Sequence, residues 1–173
     1  MTKNIVLIGF MGTGKSSVGK ILAQKLKRSL FDVDLWVEKM DKRKISEIFE
    51  KDGEVYFRAL EKQAIKELCS KQAAVITTGG GAVLDADNFR VLKERGVIVA
   101  LFAKSETVYD RVKDSKHRPL LKKDDVFGEI QKLMILRRPF YEKSDFQFET
   151  DSKTPSEVAD MILEAIQPSL RGA

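Results

Sequence analysis

Length, composition and charge exclude several classes of protein. The chain has 173 residues, of which 43% are hydrophobic and 33% charged, a balance typical of one globular domain. Its longest apolar run, at 97–103, is too short to cross a bilayer. The net charge of +5 comes from lysines spread among nearly as many acidic residues, which argues against nucleic acid and favours a small anionic ligand. A single cysteine and the absence of a secretory signal predict a cytoplasmic protein.

Apolar runs alternate with helical patterns along the chain, which is typical of a parallel sheet covered by helices on both faces. We predict strands at 4–9, 29–34, 74–78, 97–103 and 145–150. We predict helices at 15–27, 54–71, 88–95, 106–113, 126–137 and 156–166. The charged segment 114–125 interrupts this alternation and is predicted to be a mobile lid. No linker divides the chain, so we expect residues 1–173 to form one domain.

The first predicted strand runs into a glycine-rich loop. Residues 9–16 have the spacing G-x-x-x-x-G-K-S between a strand and a helix, the setting that a phosphate-binding loop requires. Backbone N–H groups of such a loop, together with the N-terminus of its helix, bind phosphate oxygens. Lys15 would reach the outer phosphates, and the Ser16 hydroxyl can bind magnesium. The motif therefore predicts a nucleotide site.

Later residues distinguish among the classes of protein that share this loop. Switch-type GTPases carry an N-K-x-D motif on a later strand, which this sequence lacks. Large ATPases usually end a strand in an acidic residue, whereas the predicted strand at 74–78 is followed by Gly79, Gly80 and Gly81. Three glycines leave backbone amides bare at the edge where open α/β sheets bind ligands. This pattern favours close approach of a second ligand there.

Two carboxylates end the second predicted strand. Alternate residues of an extended chain point the same way, so Asp32 and Asp34 are predicted to face the phosphate-binding loop together. One can hold magnesium through its water shell, while the other contacts a hydroxyl of the phosphate acceptor. Helix capping is an alternative role for Asp34 alone, and it does not explain Asp32.

These motifs, in this order, resemble the shikimate kinase family. The matching stretches are GFMGTGKSSVGK at 9–20, FDVD at 31–34, GEVYFRALE at 53–61, TGGGAV at 78–83, HRPLL at 117–121 and RRPFY at 137–141. The resemblance implies transfer of the γ-phosphoryl group of ATP to the 3-hydroxyl of shikimate, in the pathway to chorismate and the aromatic amino acids. It also implies a three-layer fold with strand order 2-3-1-4-5, a closing lid at about 112–124 and an acceptor-binding region at about 33–61.

The resemblance also assigns roles to individual residues. The residues that match shikimate contacts are Asp34, Arg58, Gly79, Gly80, Gly81 and Arg137. Those that match the nucleotide side are Gly12, Thr13, Gly14, Lys15, Ser16, Ser17, Arg111, Arg118 and Lys153. The implied cofactor is one Mg²⁺ ion, held by Ser16 and Asp32. The implied catalytic residues are Lys15, Asp34 and Arg118, and a proton-accepting role for Asp34 is left open beside a purely orienting one.

The chemistry of the arginines agrees with these roles. A carboxylate substrate needs a planar, bidentate partner, which Arg58 and Arg137 can supply. An alternative for Arg58 is a surface ion pair with Glu54 and Glu61 on the same helix. The residues alone do not decide between Arg137 and Arg138, and the family pattern R-x-P-x-Y selects Arg137.

Three rival functions are compatible with parts of the sequence. A kinase of another hydroxylated anion, such as gluconate, would share the loop, and a nucleoside monophosphate kinase would share the fold. A nucleotide-dependent regulatory protein would keep the loop but lose Asp34, Arg58 and Arg137, which are all present here. The favoured interpretation is a monomeric enzyme with shikimate and ATP as its substrates and with no nucleic-acid or membrane partner.

Overall fold

A parallel five-stranded sheet forms the centre of the molecule. The computed structural model describes residues 3–113 and 125–171. Its strands and helices, in chain order, are β1 (Asn4–Gly9), α1 (Lys15–Leu26), β2 (Leu30–Asp32), α2 (Val33–Asp41), α3 (Ile45–Lys51), α4 (Gly53–Cys69), β3 (Val75–Thr77), a 3₁₀ turn (Ala82–Leu84), α5 (Ala86–Arg95), β4 (Gly96–Phe102), α6 (Ser105–Val112), α7 (Val126–Tyr141), β5 (Phe146–Glu149) and α8 (Pro155–Arg171). The strand order is β2-β3-β1-β4-β5 and all four pairings are parallel, which confirms the predicted fold.

The two faces of the sheet bury two separate apolar clusters. Successive side chains of a strand point to opposite faces, and all six residues of β1 are buried. Ile5 and Leu7 contribute to the cluster that contains buried residues of α1 and α8. Val6 and Ile8 contribute to the cluster on the other face, which contains buried residues of α2 to α7. The result is the three-layer arrangement that the alternating pattern predicts.

The region after β2 differs from the prediction. β2 ends at Asp32 and α2 begins at Val33, so the predicted strand at 29–34 is two residues too long at this end. Asp32 is the N-cap of α2, because its Oδ1 accepts a hydrogen bond from the Leu35 N–H at 3.1 Å. The helix-capping role considered for Asp34 therefore belongs to Asp32, and the extended-chain reason for pairing the two carboxylates is wrong.

Helices also differ from the prediction in number and length. The short helices α2 and α3 were not predicted, because apolar residues in this stretch extend over too few turns to establish a period. α7 continues past its predicted end at 137 to Tyr141 with Pro139 inside it. No helix within residues 3–113 and 125–171 combines the length and apolar character needed to cross a bilayer.

Candidate active site

One cavity of about 790 Å³ lies at the carboxyl edge of the sheet. Parallel strands bring their carboxyl ends to one edge, so segments far apart in sequence meet there. The predicted site residues that line the cavity are Gly12, Gly14, Lys15, Ser16, Ser17, Asp32, Asp34, Arg58, Gly79, Gly80, Gly81, Arg111 and Arg137. Both the predicted nucleotide side and the predicted acceptor side therefore open into the same space.

The phosphate-binding loop connects β1 to α1. Gly9, Gly12 and Gly14 all have positive φ angles, a backbone conformation that glycine adopts readily. The ammonium group of Lys15 lies folded back against the loop and donates to the carbonyl oxygens of Gly9 and Phe10 at 2.9 and 2.7 Å. The loop thus holds a cation and the N-terminus of α1 at one wall of the cavity, a suitable environment for phosphate.

Ser16 and Asp32 satisfy the requirements for a magnesium ion shared with phosphate. Ser16 is exposed to the cavity at the start of α1. The Asp32 carboxylate caps α2 with one oxygen and accepts a 2.6 Å hydrogen bond from the Thr77 hydroxyl with the other. Each carboxylate oxygen has a second lone pair, so Asp32 can still accept from a water bound to the ion. The described residues contain no cluster of three or more His, Cys, Asp or Glu that could hold a metal without such waters and phosphates.

Asp34 lies in the first turn of α2 with its carboxylate directed toward the glycines after β3. Its Oδ1 is buried and, within the described residues, has no hydrogen-bond partner. The pKa of Asp34 is raised to about 6, chiefly by burial; the charges of Asp32 and Glu61 also raise it, and those of Lys15 and Arg58 lower it. A buried acceptor without a partner costs free energy, so this oxygen is available to a donor that a ligand would bring.

Arg58 is held in the cavity wall by two glutamates of its own helix, α4. Its Nη1 lies 2.8 Å from Glu61 Oε2, and its Nη2 lies 3.0 Å from Glu54 Oε1. Glu61 is only 1% exposed, and burial raises its pKa despite the neighbouring guanidinium. The pairing considered as a surface alternative is therefore anchored to a buried carboxylate, which orients Arg58 toward the cavity.

Two of the three glycines after β3, Gly79 and Gly81, are packed closely against these charged groups. A β-carbon on Gly79 would lie 2.7 Å from Asp34 Oδ1, and one on Gly81 would lie 2.5 Å from Arg58 Nη2. Both distances are below any normal van der Waals contact, so side chains at these two positions would displace Asp34 or Arg58. Bare backbone is needed here for the carboxylate and the guanidinium to occupy the cavity.

α7 turns its two adjacent arginines to different surroundings. Arg137 is 8% exposed, lines the cavity and lies over the Phe10 ring at 5.7 Å. Arg138 lies over the Phe102 ring and pairs with Glu142 at 2.7 Å, with 59% of its side chain exposed. Of the two, Arg137 is therefore the one that can meet a ligand in the cavity.

Two predicted nucleotide-side residues lie elsewhere. Thr13 and Lys153 line a second cavity of about 700 Å³ between α7 and the ends of β4 and β5. The Thr13 hydroxyl and N–H both bond to the Phe10 carbonyl oxygen. Arg111 lies at the first cavity, with its Nη1 2.9 Å from the Gly12 carbonyl oxygen. Arg118 and the predicted lid beyond residue 113 fall outside the described residues.

Two residues that were not predicted as part of the site contact predicted site residues: Glu61, which lines the cavity, and Thr77, which does not. Glu61 appeared only as an ion-pair partner of Arg58, although an acidic residue on the buried face of a helix is itself a signal. Thr77 comes one residue before the motif TGGGAV and is buried at the end of β3. Its register with Asp32 in the parallel pair places the two side chains together, which sequence spacing cannot show.

A phosphate-binding loop, a buried carboxylate and two arginines that line one cavity at the edge of this sheet are the features of a small-molecule P-loop kinase. The shikimate kinase family model matches residues 11–167 of the chain. A shikimate kinase from Thermodesulfovibrio yellowstonii is 48% identical over 161 residues, which cover 93% of each chain. The chain belongs to the shikimate kinase family, as its motifs predicted.

Solved structures agree with this assignment. The structure of shikimate kinase from Acinetobacter baumannii in complex with shikimate has a TM-score of 0.95 and 36% identity, covering 99% of this chain and 97% of that one. Shikimate kinase from Aquifex aeolicus has a TM-score of 0.85 and 40% identity, covering 98% of this chain and 99% of that one. The similarity therefore extends over nearly the whole length of the chain.

Proposed function

We propose that this chain transfers the γ-phosphoryl group of ATP to the 3-hydroxyl of shikimate, giving shikimate 3-phosphate and ADP. The observation that carries the proposal is the shared cavity, in which the phosphate-binding loop faces Asp34, Arg58 and Arg137. Membership of the shikimate kinase family supports the choice of substrate. A regulatory protein that only binds nucleotide has no use for the three acceptor-side charges.

On the nucleotide side, the chain supplies positive charge to the transferring group. Lys15 exchanges its bonds to the loop carbonyls for phosphate oxygens, and the loop amides hold the neighbouring phosphates. A magnesium ion bound with ATP would neutralise phosphate charge, with the Ser16 hydroxyl as a direct ligand and Asp32 accepting from its waters. Arg111 closes this side through its bond to Gly12, and Arg118 remains a predicted phosphate contact.

On the acceptor side, the chain binds the carboxylate and orients the hydroxyl. Arg58 and Arg137 bind the carboxylate of shikimate from α4 and α7. The partnerless Asp34 Oδ1 accepts the hydrogen bond of the 3-hydroxyl and points its oxygen toward the γ-phosphate. With a pKa of about 6, Asp34 is ionised at neutral pH and can also take the hydroxyl proton as the new bond forms.

A panel assay tests this proposal directly. ADP release is measured with ATP, Mg²⁺ and each of four acceptors: shikimate, quinate, gluconate and AMP. We expect rapid turnover with shikimate alone, and phosphorus NMR of the product should place the phosphate on the 3-hydroxyl. Faster turnover of gluconate or AMP would support one of the rival kinases, and nucleotide binding without turnover of any acceptor would support a regulatory protein.

We propose further that the enzyme acts as a cytoplasmic monomer. The only cysteine, Cys69, is free and buried, and burial raises the pKa of its thiol to about 11, which suits packing rather than reactivity. Sedimentation of active enzyme at assay concentration tests the oligomeric state.

A further inference from the structure

Tyr141 is a buried polar residue for which the reaction described above has no role. It ends α7 one turn after Arg137, is 2% exposed and packs edge-on against Phe102 with the ring centroids 6.3 Å apart. Its hydroxyl donates a 2.6 Å hydrogen bond to the carbonyl oxygen of Gly80, and the charge of the nearby Arg137 favours the ionised form of the hydroxyl. The tyrosine thus connects α7 to the glycine loop of the acceptor site.

The Gly80 carbonyl differs from those of its neighbours. Gly79 O accepts from the Ala82 N–H, and Gly81 O accepts from the Leu84 N–H. Within the described residues, the partner of Gly80 O is the Tyr141 hydroxyl. The Tyr141 hydroxyl therefore takes the place of the backbone N–H groups that bond to the Gly79 and Gly81 carbonyl oxygens.

This carbonyl belongs to the peptide bond whose N–H is that of Gly81. A trans peptide is planar, so its carbonyl and its N–H point in opposite directions. Holding Gly80 O toward Tyr141 consequently directs the Gly81 N–H away from α7, at a position that lines the cavity beside Arg58. Because glycine lies on both sides, the peptide can also adopt the flipped orientation at low steric cost.

We propose that Tyr141 is a positioning residue for the acceptor, which fixes the 80–81 peptide so that the Gly81 N–H is presented to bound shikimate. Burial raises the pKa of Tyr141 to about 12, so the hydroxyl keeps its proton and remains a donor over the working pH range. This role rests on the proposed function, which supplies shikimate as the ligand. The hydrogen bond and the orientation of the peptide do not depend on turnover.

Tyr141→Phe tests the role, because it keeps the ring against Phe102 and removes the hydroxyl alone. We expect the KM and Kd for shikimate to rise about five- to tenfold, as for loss of one hydrogen bond, with the KM for ATP unchanged within about twofold. Tyr109→Phe is the control, since it also removes one tyrosine hydroxyl from a ring packed edge-on against a phenylalanine, Phe127, and Tyr109 does not line the cavity. It should leave both KM values unchanged.

A second measurement distinguishes an effect of Tyr141 on the 80–81 peptide from an effect on the neighbouring Arg137. Tyr141→Phe is combined with Arg137→Ala, and we expect it to weaken shikimate binding by a similar factor in both backgrounds. No further weakening in the Arg137→Ala background would mean that Tyr141 acts only through the arginine and would overturn the proposal. An equal rise in both KM values, or no rise, would also overturn it.

The NMR signal of the Gly81 amide reports the orientation of the 80–81 peptide without any turnover. We expect this signal to shift or broaden in Tyr141→Phe and to stay in place in Tyr109→Phe. An unchanged Gly81 signal in a folded Tyr141→Phe would refute the fixed peptide. If wild-type enzyme fails to phosphorylate shikimate but the Gly81 signal moves as expected, the proposed function fails and the peptide orientation by Tyr141 stands.

Discussion

The phosphate-binding loop and the acceptor side of the cavity are built in opposite ways. The loop is one continuous stretch, 9–17, and the groups proposed to bind phosphate there are chiefly its backbone amides and Lys15. The acceptor side brings together Asp34 of α2, Arg58 of α4, the glycines after β3 and Arg137 of α7. The loop depends on local backbone conformation, whereas the acceptor side depends on distant elements packing correctly.

The two sides also differ in the free energy that it costs to bury their charged groups. Lys15 bonds to backbone carbonyls that are part of its own loop. On the acceptor side, burial raises the pKa values of both Asp34 and Glu61, because desolvation outweighs the neighbouring arginine. We therefore expect that a substitution in the loop can remove activity without changing the stability of the fold. At the acceptor site, the buried charges that activity needs lower the stability of the fold.

Lys15→Ala should give the largest effect on activity. We expect kcat/KM to fall by about a thousandfold or more, because the lysine stabilises charge on the transferring phosphoryl group, with little change in Tm. Steady-state kinetics and a thermal melt measure the two quantities. Lys20→Ala, an exposed lysine on the same helix, is the control and should match wild type. Near-normal turnover by folded Lys15→Ala would remove the lysine from the mechanism.

Arg137→Ala should affect the acceptor side alone. Loss of a buried partner for the shikimate carboxylate should cost about 3 kcal/mol of shikimate binding, roughly a hundredfold in Kd, with ATP binding unchanged. Titration calorimetry with each ligand measures this. Arg138→Ala is the internal control, because its partner Glu142 lies outside the cavity. Equal weakening of both ligands by Arg137→Ala would contradict the division of the cavity into two sides.

Asp34→Asn should stabilise the protein while impairing it as an enzyme. The folded-state pKa of about 6 lies above the ordinary value of 3.8, so the stabilising contribution of protonated Asp34 is complete below about pH 4 and is lost as pH rises through 6. At pH 8 the amide should therefore raise the free energy of unfolding by about 2 kcal/mol, and at pH 3.5 by far less. Denaturant melts at the two pH values measure it, and a variant less stable at pH 8 would contradict the raised pKa.

The same titration should appear in the kinetics of wild-type enzyme. Ionised Asp34 accepts from the acceptor hydroxyl, so kcat/KM for shikimate should fall about tenfold per pH unit below the pKa of about 6. Glu61 faces the same space and also has a raised pKa, so Glu61→Gln is measured in parallel to assign the titration. A profile flat from pH 7 to pH 5 would show that Asp34 orients the hydroxyl without needing its charge.

Sequence predicted the two sides of the cavity unequally well. Most of the loop at 9–16 could be predicted as a motif, because its residues are consecutive, although Thr13 lines the second cavity. Arg137 and Arg138 could be separated only by the family pattern, because the choice depends on how α7 packs. Asp32 and Asp34 were paired for the wrong reason, since the chain turns into a helix between them.

Cross-strand contacts could not be predicted at all. Register between parallel strands depends on tertiary packing, so no spacing places Thr77 beside Asp32. The short helices α2 and α3, which build much of the acceptor wall, give too little periodicity to be detected. Thr77 was missed for this reason, whereas Glu61 was noted only as a partner of Arg58, because its burial depends on how α4 packs.

Thr77→Val provides the finest test of how the two sides meet. The Thr77 hydroxyl donates to Asp32 Oδ2 at 2.6 Å and so orients a carboxylate that lies between the loop and the acceptor site. Valine keeps the shape but leaves that oxygen free to rotate away from magnesium-bound water. Since Asp32 would act through water, we expect only about a threefold rise in the Mg²⁺ concentration for half-maximal activity, with the KM for shikimate unchanged. Thr107→Val removes an equivalent 2.6 Å bond to Asp151 outside this cavity and should leave the Mg²⁺ dependence unaltered. A Mg²⁺ dependence equal to wild type in Thr77→Val would show that Asp32 serves α2 as its cap and not the metal.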